Sequence, residues 1–457
     1  MVTRIAVSYI HTAVPESTNR RAVASRAAPG LLIALSLNGF FLYLGLLDLL
    51  DIEPQPKITG LYYLALGLAL VAMAYTRRDL LWIRLLGSGR TFAVWTTVGA
   101  LLAAWFLVTA TLRSEGLVAR NAAVLLLVFA LPTALVTLAL RRDEVPWLAY
   151  GLVASGLAFV VVSAATLATL DERSSTFSPI RYLDPISAAK TAALGALALL
   201  ALHPRSQHGR TAHAVTVALL VAATVLPGAR GPLLALGLGV AIVTAVSFRR
   251  LPRLLLPAVA IGFVLGLLAA ERAGSTYHLG FGIPGIEREQ PTGVDYTGER
   301  LPPAVLGLDP ISSTDIRRAL MGDALRAIPD APLLGHGVGM LRDTSEDTRR
   351  MLEAGRITEA ETLTHPHNVL IESAYSLGLP GLGLFVALVI SAAIALAWLI
   401  RACRHCPDTL LAAGFGAAAA VNSSVSGELG MDAYVWVALV LPVALYMARR
   451  EATASSK

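Results

Sequence analysis

The sequence predicts an all-α protein that crosses a membrane many times, and three observations carry that reading. Of its 457 residues, 55% are hydrophobic and 15% are charged, whereas a soluble domain carries about 25% charged residues. Its mean hydropathy is +0.65. The apolar residues fall in runs of about 20, the length that crosses a bilayer core as a helix. The alternating segments of about ten residues that mark a β-barrel are absent. A disordered chain, a coiled coil and an ordinary soluble enzyme are thereby excluded.

Twelve apolar spans follow one another at 30–50, 58–76, 91–112, 118–140, 146–170, 186–203, 210–228, 231–247, 252–270, 380–401, 408–427 and 430–448. The first follows a polar arm bearing Arg4, Arg20, Arg21 and Arg26. It has no small-residue cleavage site, so it reads as a retained helix and not as a signal peptide. A half-apolar stretch, 366–378, precedes Pro380 and Gly381. It is too short to span, so it enters the membrane partway or leads into the tenth helix. The chain thus divides into nine transmembrane helices over 1–270, a long loop over 271–365, and an interrupted segment with three further helices over 366–457.

Basic residues orient such a bundle, because Lys and Arg accumulate on the cytoplasmic side. With the N-terminus inside, seven inside segments hold twenty of the 37 Lys and Arg residues, and every inside loop is basic. The outer short loops and outer helix ends hold Lys57, Arg113, Arg120, Arg173, Arg181, Lys190 and Arg230. Both termini are then cytoplasmic. The net charge of +6 is a topology signal and not a nucleic-acid footprint. The loop 271–365 is different, with ten arginines against fifteen acidic residues. Structureless loops this long are uncommon and usually functional. Ser313 or Thr314 caps a helix running to about Ile328, with Ile316, Leu320, Met321, Leu325 and Ile328 apolar. Pro329 and Pro332 end it, Gly335, Gly337 and Gly339 form a flexible turn, and a second polar helix covers 341–356.

The strongest chemical signal is Thr364-His365-Pro366-His367-Asn368, where the long loop re-enters the membrane. Histidine transfers protons or contacts anions near neutral pH. The alternative is a helix N-terminal cap in which His367 and Asn368 satisfy backbone groups. The second signal is Arg230 in the outer turn Pro227-Gly228-Ala229-Arg230-Gly231-Pro232. A charge there is costly and often functional, and a following glycine admits an anion to both side chain and backbone. Snorkelling to headgroups is the competing account. Arg317 and Arg318 sit side by side on the loop helix and point in different directions, so at most one faces a site, and Arg318 reads as a solvated face. Arg173 and Arg181 bind lipid phosphate or stay in water; Glu372 orients a polar partner or is a satisfied carboxylate.

Other patterns are set aside. Gly335-His336-Gly337-Val338-Gly339 follows no strand, so it is not a dinucleotide or P-loop site. Cys403-Arg404-His405-Cys406 has no second pair for zinc and reads as reduced thiols in an inside loop. No acidic pair suits a nucleotide-sugar metal site, so no metal and no other cofactor is expected.

Three motifs together resemble the O-antigen ligase family, within the superfamily that includes O-antigen polymerases. They are Arg230-Gly231; then Arg317 with Met321, Ala324-Leu325 and Pro332-Leu333-Leu334-Gly335-His336-Gly337; and His365-Pro366-His367-Asn368 followed by Leu377-Gly378-Leu379-Pro380-Gly381. Met321 departs from the family's usual tryptophan, while the spacing to Pro332 selects Arg317 over Arg318. The resemblance covers about residues 225–385. It implies an inverting, metal-independent glycosyltransferase in a bacterial inner membrane, moving a glycan from undecaprenyl diphosphate to lipid A–core on the periplasmic face. On that reading Arg230 and Arg317 clamp the diphosphate, with Asn368, Arg173 and Arg181 as further binding residues. His367 or His365 activates the acceptor hydroxyl. A polymerase using the same donor, and a lipid or glycan transporter, are the alternatives.

Overall fold

A computed structural model of the chain describes residues 20–49, 52, 56–87, 90–113, 123–168, 185–202, 207–247, 254–273, 313–341, 366–425 and 433–454. Among these residues there are helices and turns but no strand. In chain order the helices are α1 (Arg20–Leu49), α2 (Pro56–Thr76), α3 (Arg78–Gly87), α4 (Arg90–Arg113), α5 (Ala123–Leu138), α6 (Val145–Ala168), α7 (Pro185–Ala201) and α8 (Gln207–Val225). They continue with α9 (Arg230–Ser247), α10 (Leu255–Ala273), α11 (Ser313–Ala327), α12 (Val369–Cys403), α13 (Pro407–Val425) and α14 (Ala433–Ala454).

Each of the twelve apolar spans coincides with one of these helices; α3 and α11 are the additional ones. Among the described residues, eight helices are long and apolar enough to cross a membrane, and α5 and α7 are shorter apolar helices. The protein is therefore an all-α, multi-pass membrane protein. One of the two shorter helices, α7, is enclosed by protein. Residues 188–202 of α7 and its end are buried without exception, walled by α6, α8, α9 and α13. A helix enclosed by protein needs small residues that let backbones approach, not bulky lipid-facing ones. Gly195 of α7 and Gly156 of α6 meet in this way. Gly262 and Gly266 of α10 rest on Ala218, Ala222 and Val225 of α8, a small-residue seam along two helices that run in the same direction.

Ion pairs gather at one end of the bundle, here called basal. Arg26 of α1 pairs with Asp143 (3.7 Å), and Arg77 pairs with the buried Glu144 (2.6 Å). Arg84 of α3 is fully buried; it forks onto Glu451 of α14 (both contacts 2.8 Å) and donates to the carbonyls of Leu138 (2.5 Å) and Leu140 (3.0 Å). Asp408 of α13 accepts from Arg449 (2.9 Å) and lies 3.4 Å from Arg142. These residues come from five of the seven segments that the charge pattern puts on one side, so the helix parity of the sequence reading recurs in space.

Two expectations change, and α11 gains a definite buried face. Cys403 and Cys406, read as reduced thiols, form a disulfide (S–S 2.08 Å), because the turn ending α12 brings their Cα atoms to 5.5 Å. On α11 the buried face is Leu320 and Ala324, while Leu325 is exposed. One helical turn separates 320 from 324, and the next residue is rotated about 100° away. The glycine turn, read as a flexible joint, is instead pinned to α12, as described next. His365, Arg173, Arg181 and the expected helix 341–356, beyond its first residue, lie outside the described residues.

Candidate active site

The apical end, opposite the ion pairs, is organised by a break in α12. Gly378 adopts φ 70° and ψ −177° inside that helix, a conformation essentially reserved for glycine. Pro380 follows it and has no N–H to give to the Ser376 carbonyl. The freed backbone groups must find partners, since an unpaired one in a bilayer costs several kcal/mol. They find them in the turn after α11. The N–H of His336 donates to Tyr375 O (2.8 Å), that of Gly337 to Ser376 O (3.2 Å), and that of Leu379 to Pro332 O (2.8 Å). Trp105 of α4 closes the remaining gap, its Nε1 donating to Leu377 O (2.8 Å).

The approach is close enough to require glycine on both sides. A Cβ on Gly335 (φ 69°) would stand 2.5 Å from backbone atoms of Ser376, and one on Gly378 2.5 Å from the Leu333 oxygen. The His336 ring stacks on Tyr375 at 4.8 Å, and its Nε2 lies 2.7 Å from the Ala327 carbonyl at the end of α11. The Pro-Leu-Leu-Gly-His-Gly and Leu-Gly-Leu-Pro-Gly segments are therefore two halves of one lock. That lock seats α11, whose Leu320 and Ala324 pack with Tyr375 of α12 and against Ile371. Arg317 lies one turn before Leu320 and is half-buried; Arg318 beside it is exposed.

His367 stands just before α12. Its backbone has φ 54°, unusual for a residue with a Cβ, and both ring nitrogens are shielded from solvent. Asn368 fixes this entry. Its Oδ1 accepts from the N–H groups of Leu370 and Ile371 (3.1 Å each), and its Nδ2 donates to the Ser424 carbonyl of α13 (3.2 Å). Asn368 is thus the N-cap that the sequence allowed, and it also fastens α12 to α13. Glu372 is buried one turn later.

Helix rise sets the heights. Ser424 lies sixteen residues beyond Asp408 on α13, or about 24 Å above the basal pairs. Val243 of α9 touches Gly414 of α13. Counting up each helix from that contact puts Arg230, the first residue of α9, within about 5 Å of the height of Ser424. Arg230 is exposed there, after a turn in which Gly228 takes φ 70°. The fold thus brings Arg230 and His367 to one end of the bundle, and the lock attaches the helix of Arg317 to the segment that carries His367.

An apolar cleft of about 290 Å³ runs from this end into the membrane zone between α12, α13 and α14. Asn368, Ser423 and Ser424 line its polar part, and Phe385, Ala419 and Leu439 lie deeper. Among the described residues no group of three His, Cys, Asp or Glu side chains could hold a metal ion. Sequence reasoning did not find Trp105 or Tyr375, whose roles appear only once the break and the turn meet. Their signal was faint: the motif halves lie some forty residues apart.

No curated protein matches the chain at a significant level. Residues 215–386 match the family model described as O-antigen ligase, a stretch that runs from α8 through the lock and takes in Arg230, Arg317 and His367. Through that segment the chain resembles the O-antigen ligase family.

Proposed function

We propose that the protein is a glycosyltransferase of the O-antigen ligase type. It moves a glycan from undecaprenyl diphosphate to lipid A–core at the periplasmic face of the inner membrane, with the apical end outside and both termini in the cytoplasm. The observation that carries this reading is the gathering of Arg230 and His367 at one end of the bundle, beside an apolar cleft that starts at Asn368. A lipid-linked donor needs both a polar reaction site at the interface and an apolar path for its chain.

The chemistry is a single displacement. The acceptor hydroxyl oxygen attacks the anomeric carbon while the bond from that carbon to the diphosphate oxygen breaks. His367 takes the hydroxyl proton as general base, a role worth about 10²–10⁴ in rate. Arg230 and Arg317 hold the diphosphate and neutralise the charge that develops as it leaves; guanidinium suits this because its planar fork pairs with phosphate oxygens. His365 is a second candidate for the proton, and Arg173 and Arg181 are candidates for the diphosphate or its lipid neighbours. Asn368 acts by holding His367 in place. One displacement inverts the anomeric centre, and arginine charge does the work that a metal does elsewhere.

The test is reconstitution of the purified protein in proteoliposomes with carrier-linked glycan and lipid A–core. Glycan on lipid A–core is the expected result. Longer carrier-linked chains would make the protein a polymerase, and movement of carrier-linked glycan across the bilayer with no new product would make it a transporter.

A further inference from the structure

A second polar cluster lies inside the bundle, away from the three motifs. Lys190 sits on α7 with only 8% of its surface exposed, and Asn38 of α1 is fully buried. Tyr434 of α14 joins them: its hydroxyl donates to Asn38 Oδ1 (2.5 Å), and the Lys190 ammonium lies 5.9 Å from its ring centroid. The hydroxyl of Thr191 also reaches Asn38 Oδ1, at 3.5 Å. The Thr191 hydroxyl also faces the Ser187 carbonyl (3.1 Å), so Tyr434 is the main donor that orients the amide, and among the described residues the buried Asn38 Nδ2 has no hydrogen-bond partner. Among the described residues no carboxylate comes within ion-pair distance of Lys190.

An ionisable residue inside a membrane bundle is expensive and points to a function. Among the described residues, a cation facing a ring beside an amide with idle N–H groups is a set of donors that lacks an acceptor. Its height is informative. Leu197 of α7 touches Gly239 of α9, and both helices start at the apical end. Counting back along each from that contact leaves Lys190 only about 3 Å below Arg230. Lys190 keeps 8% of its surface exposed, so the cluster is not completely enclosed.

We infer that Lys190, Asn38 and Tyr434 form an internal subsite for a phosphate-class oxyanion. The ammonium supplies the charge, Asn38 Nδ2 supplies a directed donor, and the Tyr434 hydroxyl stays on Asn38 to hold that donor in place. The inference does not depend on glycan transfer, because it asks only whether an oxyanion binds. Its ligand is the diphosphate headgroup of a carrier lipid or free phosphate, and the two sources are separable.

The experiment measures ligand-dependent thermal stabilisation of the purified full chain in detergent, since a ligand that binds only the folded state raises its melting temperature. Inorganic pyrophosphate is one probe and a polyprenyl diphosphate the other. Stabilisation by both, with a matching affinity, supports an oxyanion subsite open to free phosphate. Stabilisation by the lipid alone supports a headgroup subsite. In either case Lys190→Met weakens the affinity at least about tenfold, the scale of one lost charged hydrogen bond. Lys190→Arg retains it within a few-fold, and Asn38→Leu weakens it by less than Lys190→Met. Should Lys190→Met not fold, Lys190→Arg and Asn38→Leu carry the comparison. Absence of stabilisation by either probe, or equal affinity in wild type and both Lys190→Met and Asn38→Leu, overturns the assignment.

Discussion

The two ends of the bundle are fastened by different means. At the basal end charge meets charge: Arg84 with Glu451, Arg77 with Glu144, and Arg449 and Arg142 with Asp408. The carboxylates Glu144 and Asp408 are buried, and their arginines come from distant parts of the chain. At the apical end the fastening is backbone geometry: the lock between the Pro332–Gly337 turn and the broken α12, the Trp105 indole on the Leu377 carbonyl, and the Asn368 cap reaching Ser424. None of these fastenings uses the side chains of Arg230, Arg317 or His367, the three residues proposed for chemistry. The contrast teaches where substitutions should cost stability and where they should cost activity.

The largest stability effect belongs to the basal end. Arg84→Ala strands the buried carbonyls of Leu138 and Leu140 and returns the part-exposed Glu451 to water, at a cost of about 3 kcal/mol, the scale for two buried carbonyls left without donors. Denaturant unfolding in detergent measures it, with transfer per folded molecule unchanged. A stability equal to wild type would show that the basal ion pairs do not hold the bundle. A smaller effect is expected at the lock. Gly378→Ala forces a Cβ into the Leu333 carbonyl at a φ that alanine resists, costing about 2 kcal/mol. Unlike Arg84→Ala, it should lower transfer per folded molecule as well, because the lock seats the helix of Arg317. Gly383→Ala, where nothing lies within 4 Å of the added Cβ, is the matched control and should be neutral or slightly stabilising. If both glycine variants behave alike, the lock is not what organises the apical end.

The sequence makes the helices legible because a bilayer demands long apolar runs and the basic loops declare their parity. It singles out Arg230, Arg317 and His367 as candidates because charged or titratable residues are conspicuous against 55% hydrophobic composition. It does not make the lock legible. Pro332–Gly337 and Leu377–Gly381 each read as a local turn, and nothing in their spacing states that one supplies the hydrogen bonds the other loses at Pro380. Leu325 shows a second limit: it is apolar like Leu320, yet it is exposed, and the contact with Tyr375 selects Leu320 and Ala324 for burial. Lys190 shows a third. In the linear sequence it is one more base near an outer helix end; only the packing of α1, α7 and α14 reveals that it is enclosed beside Asn38.

The most direct test of the apical end as a transferase site is a single-turnover assay of His367→Ala against wild type in proteoliposomes, with carrier-linked glycan and lipid A–core and with melting temperature recorded for both. The account predicts a rate at least about 100-fold lower and an unchanged melting temperature. A His367→Ala protein that transfers glycan at the wild-type rate would contradict it.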